Sequence, residues 1–294
     1  MSSDQSITRE LSFGEVISKT FELYRNRFVT YLVFFLVIEV IYAAVTAVVQ
    51  QAISLPSLPT SPTGEQVSSW FSANLGTLAA AAITVLVVAL VVFPIAIGAT
   101  IKMASEEIQN KRPEVGASVR FAASKLLSMW ALGIIIGIIT ALGFIALVVP
   151  GIILAIMFCL VLPALLLENA GVVGSMGRSR ELVGHRWLKT FVTGLVLAII
   201  VIIISAVLGV ISLPFGPAST FVSTILGALT APIFPIAMTV YYYSNLARIT
   251  PAPVGAGPYT PPVAPPGMKF CTNCGTQLEA SATFCSKCGA KQPA

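Results

Sequence analysis

Long apolar runs alternate along this chain with short segments that mix charge and apolar residues. The nearly uncharged runs lie at 28–50, 78–101, 126–149, 152–168, 188–213 and 221–243. A hydrocarbon core of roughly 30 Å needs about 20 apolar residues in helix, so each run reads as a membrane span. The stretch from Leu126 to Leu167 is too long for one helix, and Val149-Pro150-Gly151 is its expected turn, because Pro and Gly together break a helix. The fourth run is short, which calls for a tilt, a local thinning or a partly re-entrant path. The first begins at Phe28, after a charged amphipathic stretch. A signal-peptide core spans only about 7–15 residues, so this longer run reads as a span as well.

The segments between runs carry an internal repeat. Gly14, Gly116 and Gly174 each open a short amphipathic segment; Phe28 and Trp130 follow the first two by 14 residues, and Trp187 follows the third by 13. In the first segment Phe13, Ile17, Phe21, Tyr24 and Phe28 fall at helical spacing, with Ser12 and Glu15 placed to form a capping box. Each hairpin then carries a proline in its second helix. Phe93-Pro94-Ile95-Ala96-Ile97 and Phe234-Pro235-Ile236-Ala237-Met238 are nearly the same words, and Leu162-Pro163-Ala164 holds the matching place. Interior prolines kink helices, which serves packing or opens a polar gate. The predicted fold is an all-α polytopic membrane protein of about six transmembrane helices, arranged as three amphipathic-helix-plus-hairpin repeats.

Composition agrees: 56% of the 294 residues are hydrophobic and 10% charged, against about a quarter charged in soluble domains. The net charge of +5 would suit nucleic acid, but the placement of the cations points elsewhere. All 17 Lys and Arg fall before the first run, between the second and third, between the fourth and the start of the fifth (Lys189 is its second residue), or after the sixth. By the positive-inside rule both termini are cytosolic, in a multi-pass protein of the cell membrane. Trp130 and Trp187 at inner ends of spans, and Trp70 near an outer end, suit interfacial belts.

The run Val149-Pro150-Gly151-Ile152, then Pro163, Glu168 and Arg178-Ser179-Arg180-Glu181-Leu182-Val183 to Trp187, resembles the membrane domain fused to some glycerophosphodiester phosphodiesterases. The resemblance covers residues 8–249 in organisation, with its specific words in 149–190. It implies a membrane module beside lipid-related chemistry. Fused members carry their metal-binding His and Glu residues on a separate barrel that this chain lacks, and its one histidine is His185. No phosphodiesterase activity is therefore implied.

From Pro251 to Gly267 the composition turns to Pro, Gly and Ala, which favours an extended spacer. The expected division is a membrane domain at 1–249, a linker at 250–267 and a zinc ribbon at 268–294. Phe270-Cys271-Thr272-Asn273-Cys274-Gly275 returns 14 positions later as Phe284-Cys285-Ser286-Lys287-Cys288-Gly289. Two such knuckles offer Cys271, Cys274, Cys285 and Cys288 as a tetrahedral Zn²⁺ site. Iron could take the same sulfurs. A disulfide is disfavoured in the reducing cytosol. The tail's Lys269, Lys287 and Lys291 against Glu279 make too weak a basic balance for nucleic acid, so its expected partner is a protein.

Among membrane residues, Glu39 lies mid-span, where an ionised carboxylate costs several kcal/mol. It either serves a transport path or ties two helices together by a hydrogen bond. Arg178, Arg180 and Arg186 could hold lipid phosphate, or simply set topology. Glu168 is expected to pair with Arg178 or Arg180, Cys159 to sit inert in the core, and His185 to lie on the surface. No Walker motif, nucleophile elbow or HExxH is present. The expected function is a non-enzymatic membrane scaffold or sensor, lipid-associated, with the ribbon contacting a protein. The alternative is a small transporter or channel that uses Glu39 and the kinked helices.

Overall fold

The structure, a computed structural model, describes residues 6–52, 61, 63–184, 186–250, 268–270, 276–279 and 281–292. It divides into two compact units, Met1–Thr250 and Pro251–Ala294. The first is helical: α1 (Phe13–Asn26), α2 (Phe28–Ala52), α3 (Gly64–Val87), α4 (Phe93–Ile108), α5 (Val115–Ser124), α6 (Leu126–Ala146), α7 (Val148–Met157), α8 (Val161–Leu167), α9 (Gly171–Val183), α10 (Trp187–Ser212), α11 (Ser219–Gly227) and α12 (Ile233–Ile249). The second holds β1 (Met268–Phe270) and β2 (Gln277–Glu279), paired antiparallel.

Five helical stretches among the described residues are long and apolar enough to cross a membrane: Phe28–Val49, Gly64–Ile108, Leu126–Ala146, Val148–Leu167 and Trp187–Gly216. The expected sixth, 221–243, is not one helix. The chain turns through 228–232 between α11 and α12, because Pro232 brings no N–H and disfavours helix at Ala231. The second stretch runs 45 residues and starts well before the expected residue 78. Its start at Gly64 is set by Thr63 and Gln66, whose side chains cap each other's backbone N–H groups. At α1 the capping box of Ser12 and Glu15 forms as the sequence predicts.

The turn expected at Val149-Pro150-Gly151 lies two residues earlier. Leu147 is extended, and Pro150 and Gly151 enter the first turn of α7, where a proline's missing N–H leaves no bond unmade. Gly151 serves packing instead of turning, since a Cβ there would stand 2.4 Å from the Phe144 ring, and one on Gly143 would stand 2.7 Å from Leu154. The two small residues let α6 and α7 approach closely, as small residues do between helices in lipid.

The three repeated prolines each follow a local irregularity of the helix. Pro163 and Pro235 stand in the first turns of helices that restart after the turns at 158–160 and 228–232. Pro94 follows a π-helical bulge at 88–92 inside the continuous stretch Gly64–Ile108. Each irregularity interrupts the ordinary bonding of the ladder. A break orphans backbone carbonyls, which in an apolar setting need donors. Pro94 cannot donate to Leu90, and the Trp130 indole N–H of α6 donates to the Leu90 carbonyl at 2.5 Å. The Ser179 hydroxyl of α9 donates to the Met157 carbonyl at 2.8 Å, and the Tyr24 hydroxyl of α1 donates to the Leu229 carbonyl at 3.0 Å. The donor comes each time from the segment that follows, and for the last break from α1.

The same order governs packing. The proline-led helices α4, α8 and α12 touch one another, and they lie respectively on α5, α9 and α1. Ala99, Ile101, Ala164, Leu165, Ile236 and Val240 fill the space among them, each at most 2% exposed.

Candidate metal centre and polar sites

In the second unit, Phe270 pairs with Gln277, so 271–276 form the connection between β1 and β2. Phe284 pairs with Lys291, so 285–290 form the second connection, and both pairs are seven residues apart. Each connection contains one CxxC. Cys271 and Cys274 lie outside the described residues. In the second connection the Cys285 sulfur is buried and accepts the Lys287 amide at 3.4 Å. The Gly289 amide returns to the Cys285 carbonyl at 2.9 Å, with Gly289 at φ +70°, a left-handed turn that glycine takes without strain. Cys288 is exposed at the edge of the same turn. An amide aimed at sulfur supports thiolate character, so this knuckle fits a metal ligand pair. Among the described residues of the unit, Leu278 and Cys285, with Ala282 and Ala290 against them, form the hydrophobic cluster. A unit of this size ordinarily needs a metal or another constraint besides its core to fold.

In the first unit Glu39 points into the protein, at 9% exposure. It sits where α2 crosses α11, and a Cβ on Gly227 would lie only 3.7 Å from its Oε1. Glycine at 227 therefore makes room for the carboxyl. Among the described residues no side chain donates a hydrogen bond to it.

The three arginines separate. Arg178 donates to Glu168 Oε1 at 2.8 Å and to Glu181 at 2.7 Å, and Tyr242 donates to the same Glu168 oxygen at 2.6 Å. Glu168 is thus an ion-pair partner, as expected. Arg186 reaches Glu10 at 3.5 Å, and Lys189 bonds both Glu10 and, at 2.9 Å, the Leu11 carbonyl. Partial burial acts to raise the pKa of Glu10, but the hydrogen bond and charge of Lys189, with Arg186 and Arg248, hold it below the usual carboxylate value. Arg180 is exposed and has no ion pair among the described residues. Cys159 is half-buried beside the main core, and His185 lies outside the described residues.

Two features were not read from the sequence. Glu107 and Tyr31 are 5% and 1% exposed, and among the described residues Glu107 Oε2 and the Tyr31 hydroxyl have no hydrogen-bond partner. Arg27, Lys19 and Asn26 surround the Glu107 carboxyl. The groups around it come from α1 and the residue that follows that helix, a contact between distant parts of the chain that has no local signature. The second is the Trp130 bond to the break at 88–92. Its signal was present in the spacing of Leu90 four residues before Pro94, a carbonyl that must lack its helical partner.

Residues 270–292 match the family model of a zinc-ribbon domain. The chain matches no curated protein and no solved structure.

Proposed function

We propose that this chain is a non-enzymatic membrane scaffold or sensor, associated with lipid, whose ribbon contacts a partner protein. The observation that carries the reading is the division into two units, a helical one whose centre is filled and a ribbon of two knuckle hairpins. Side chains among α4, α8 and α12 occupy the place where a conducting path would run, which suits an anchor better than a channel. In the ribbon, Cys271, Cys274, Cys285 and Cys288 would hold one Zn²⁺, which supplies a closed structural site and no reactive position. The helical unit is read as three repeats closed in a ring, because α4, α8 and α12 each lie on the next amphipathic helix in cyclic order. The likeness of 149–190 to the membrane domain of glycerophosphodiester phosphodiesterases belongs to the proposal too, and supports reading the unit as lipid-associated.

Removing residues 268–294 tests the reading. A scaffold should lose its co-purifying protein while the helical unit still inserts and stays monodisperse. A transporter running past Glu39 would keep most of its flux without the ribbon, and that result would overturn the proposal.

Orientation is proposed from the confinement of the 17 cations to alternate segments, with both termini in the cytosol of a cell-membrane protein. Single cysteines replacing Ser61 and Thr220 should react with an impermeant maleimide on intact cells. One replacing Ser124, which is exposed at the end of α5, should react only after lysis. Labelling of Ser124→Cys on intact cells would reverse the assignment.

A further inference from the structure

The C-terminal half of α9 and the first turn of α10 border a cleft of about 690 Å³ against α7. Ile153 and Met157, one turn apart on α7, line it with Val183, while Arg180, Trp187 and Glu181, whose carboxylate is paired with Arg178, stand at its rim. Gly177 lines it beside open space, since a Cβ there would meet nothing within 4 Å, so a large side chain at 177 has room to occupy the cleft. The walls are fixed. Ser179 donates to the Met157 carbonyl at 2.8 Å and accepts the Leu160 amide at 3.3 Å, which ties α9 to the break after α7. The buried polar atoms of that break are thereby satisfied, and the cleft keeps its shape without an occupant.

Charge is arranged on two sides of α9. Arg178 is engaged by Glu168 and Glu181. Arg180, two residues on and so about 200° around the helix, carries no such partner. The neighbourhood formed by Arg178, Arg180, Arg186, Lys189 and Arg248 outnumbers Glu10, Glu168 and Glu181 by two charges. A guanidinium matches phosphate with two parallel hydrogen bonds. The cleft's apolar side continues directly into Val148–Leu167, a stretch long and apolar enough to lie in the bilayer. One end of the site thus suits an anion and the other a hydrocarbon chain.

We propose that this cleft binds one anionic glycerophospholipid, with its phosphate on Arg180 and an acyl chain along Ile153 and Met157. The proposal deepens the lipid association of the function given above and does not involve the ribbon, so loss of the partner protein and loss of lipid preference would be seen separately.

Trp187, at the rim and half-exposed, reports occupancy. The full chain is reconstituted in phosphatidylcholine vesicles that contain a small fraction of either brominated phosphatidylglycerol or brominated phosphatidylcholine. The Trp187 emission is defined as the part lost in Trp187→Phe. The anionic lipid should be enriched at Trp187 about five-fold over the zwitterionic one, equivalent to the ~1 kcal/mol of one basic side chain near an anionic surface. Arg180→Gln should bring the ratio to about one, and Arg180→Lys should retain part of it. Gly177→Leu, which fills the cleft and leaves the charge, should also abolish the enrichment. An enrichment unchanged in Arg180→Gln, or surviving Gly177→Leu, would mean general surface attraction and overturn the proposal. Millimolar inorganic phosphate should not reverse the enrichment; if it does, the site takes a soluble anion and the lipid assignment fails.

Discussion

Cys285→Ser in the full chain is expected to release the metal and unfold the ribbon while the helical unit stays intact. The Cys285 sulfur is buried, accepts the Lys287 amide and packs with Leu278, so it sits at the centre of the small unit. Structural zinc in comparably small modules contributes on the order of 10–16 kcal/mol of apparent binding free energy. Very little other burial is present to replace it. Freshly purified, reduced wild-type protein should carry about one zinc per chain, and the variant essentially none. Amide exchange should become fast throughout 268–292, with the exchange of 6–250 unchanged. A variant that keeps zinc and slow exchange would remove Cys285 from the ligand set. Absence of zinc from the wild type would remove the site altogether.

A methyl group at Gly151 is expected to force α6 and α7 apart. The added Cβ would stand 2.4 Å from Cγ of Phe144, close to the root of the ring, so the ring cannot simply swing its far end away. Overpacking of this kind costs roughly 1–3 kcal/mol. Gly151→Ala should therefore lower the detergent unfolding midpoint clearly, and far less in a Phe144→Ala background, where the clashing atoms are gone. Equal cost in both backgrounds would show that Gly151 acts through its backbone alone, and the close approach of the two helices would not be what the glycine serves.

Much of the architecture was legible because it depends on local pattern. A run of about 20 apolar residues is long enough to span whatever it packs on, and among the described residues five helical stretches meet that length and apolarity. The Ser12 and Glu15 capping box forms between residues three apart, so nothing distant can alter it. The knuckles repeat at a fixed 14 residues, and the zinc-ribbon match covers both. The pairing of Glu168 with Arg178 was also within reach, since opposite charges flank one short turn.

Tertiary structure decided where helices break and which polar groups stay unpaired. The sequence marks Pro94, Pro163 and Pro235, but a proline alone is compatible with a kink, a bulge or a restart. The bulge before Pro94 and the restarts at Pro163 and Pro235 are tolerated here because Trp130, Ser179 and Tyr24, 40, 22 and 205 residues away in the chain, bring donors to the orphaned carbonyls. The Val149-Pro150-Gly151 turn moved to Leu147 for a related reason: Gly143 and Gly151 let two helices touch, and contact between helices has no local signature. Arg178 and Arg180 look alike in the sequence. Two neighbouring carboxylates engage the first, and the second is left facing a cleft, because two residues along a helix is more than half a turn.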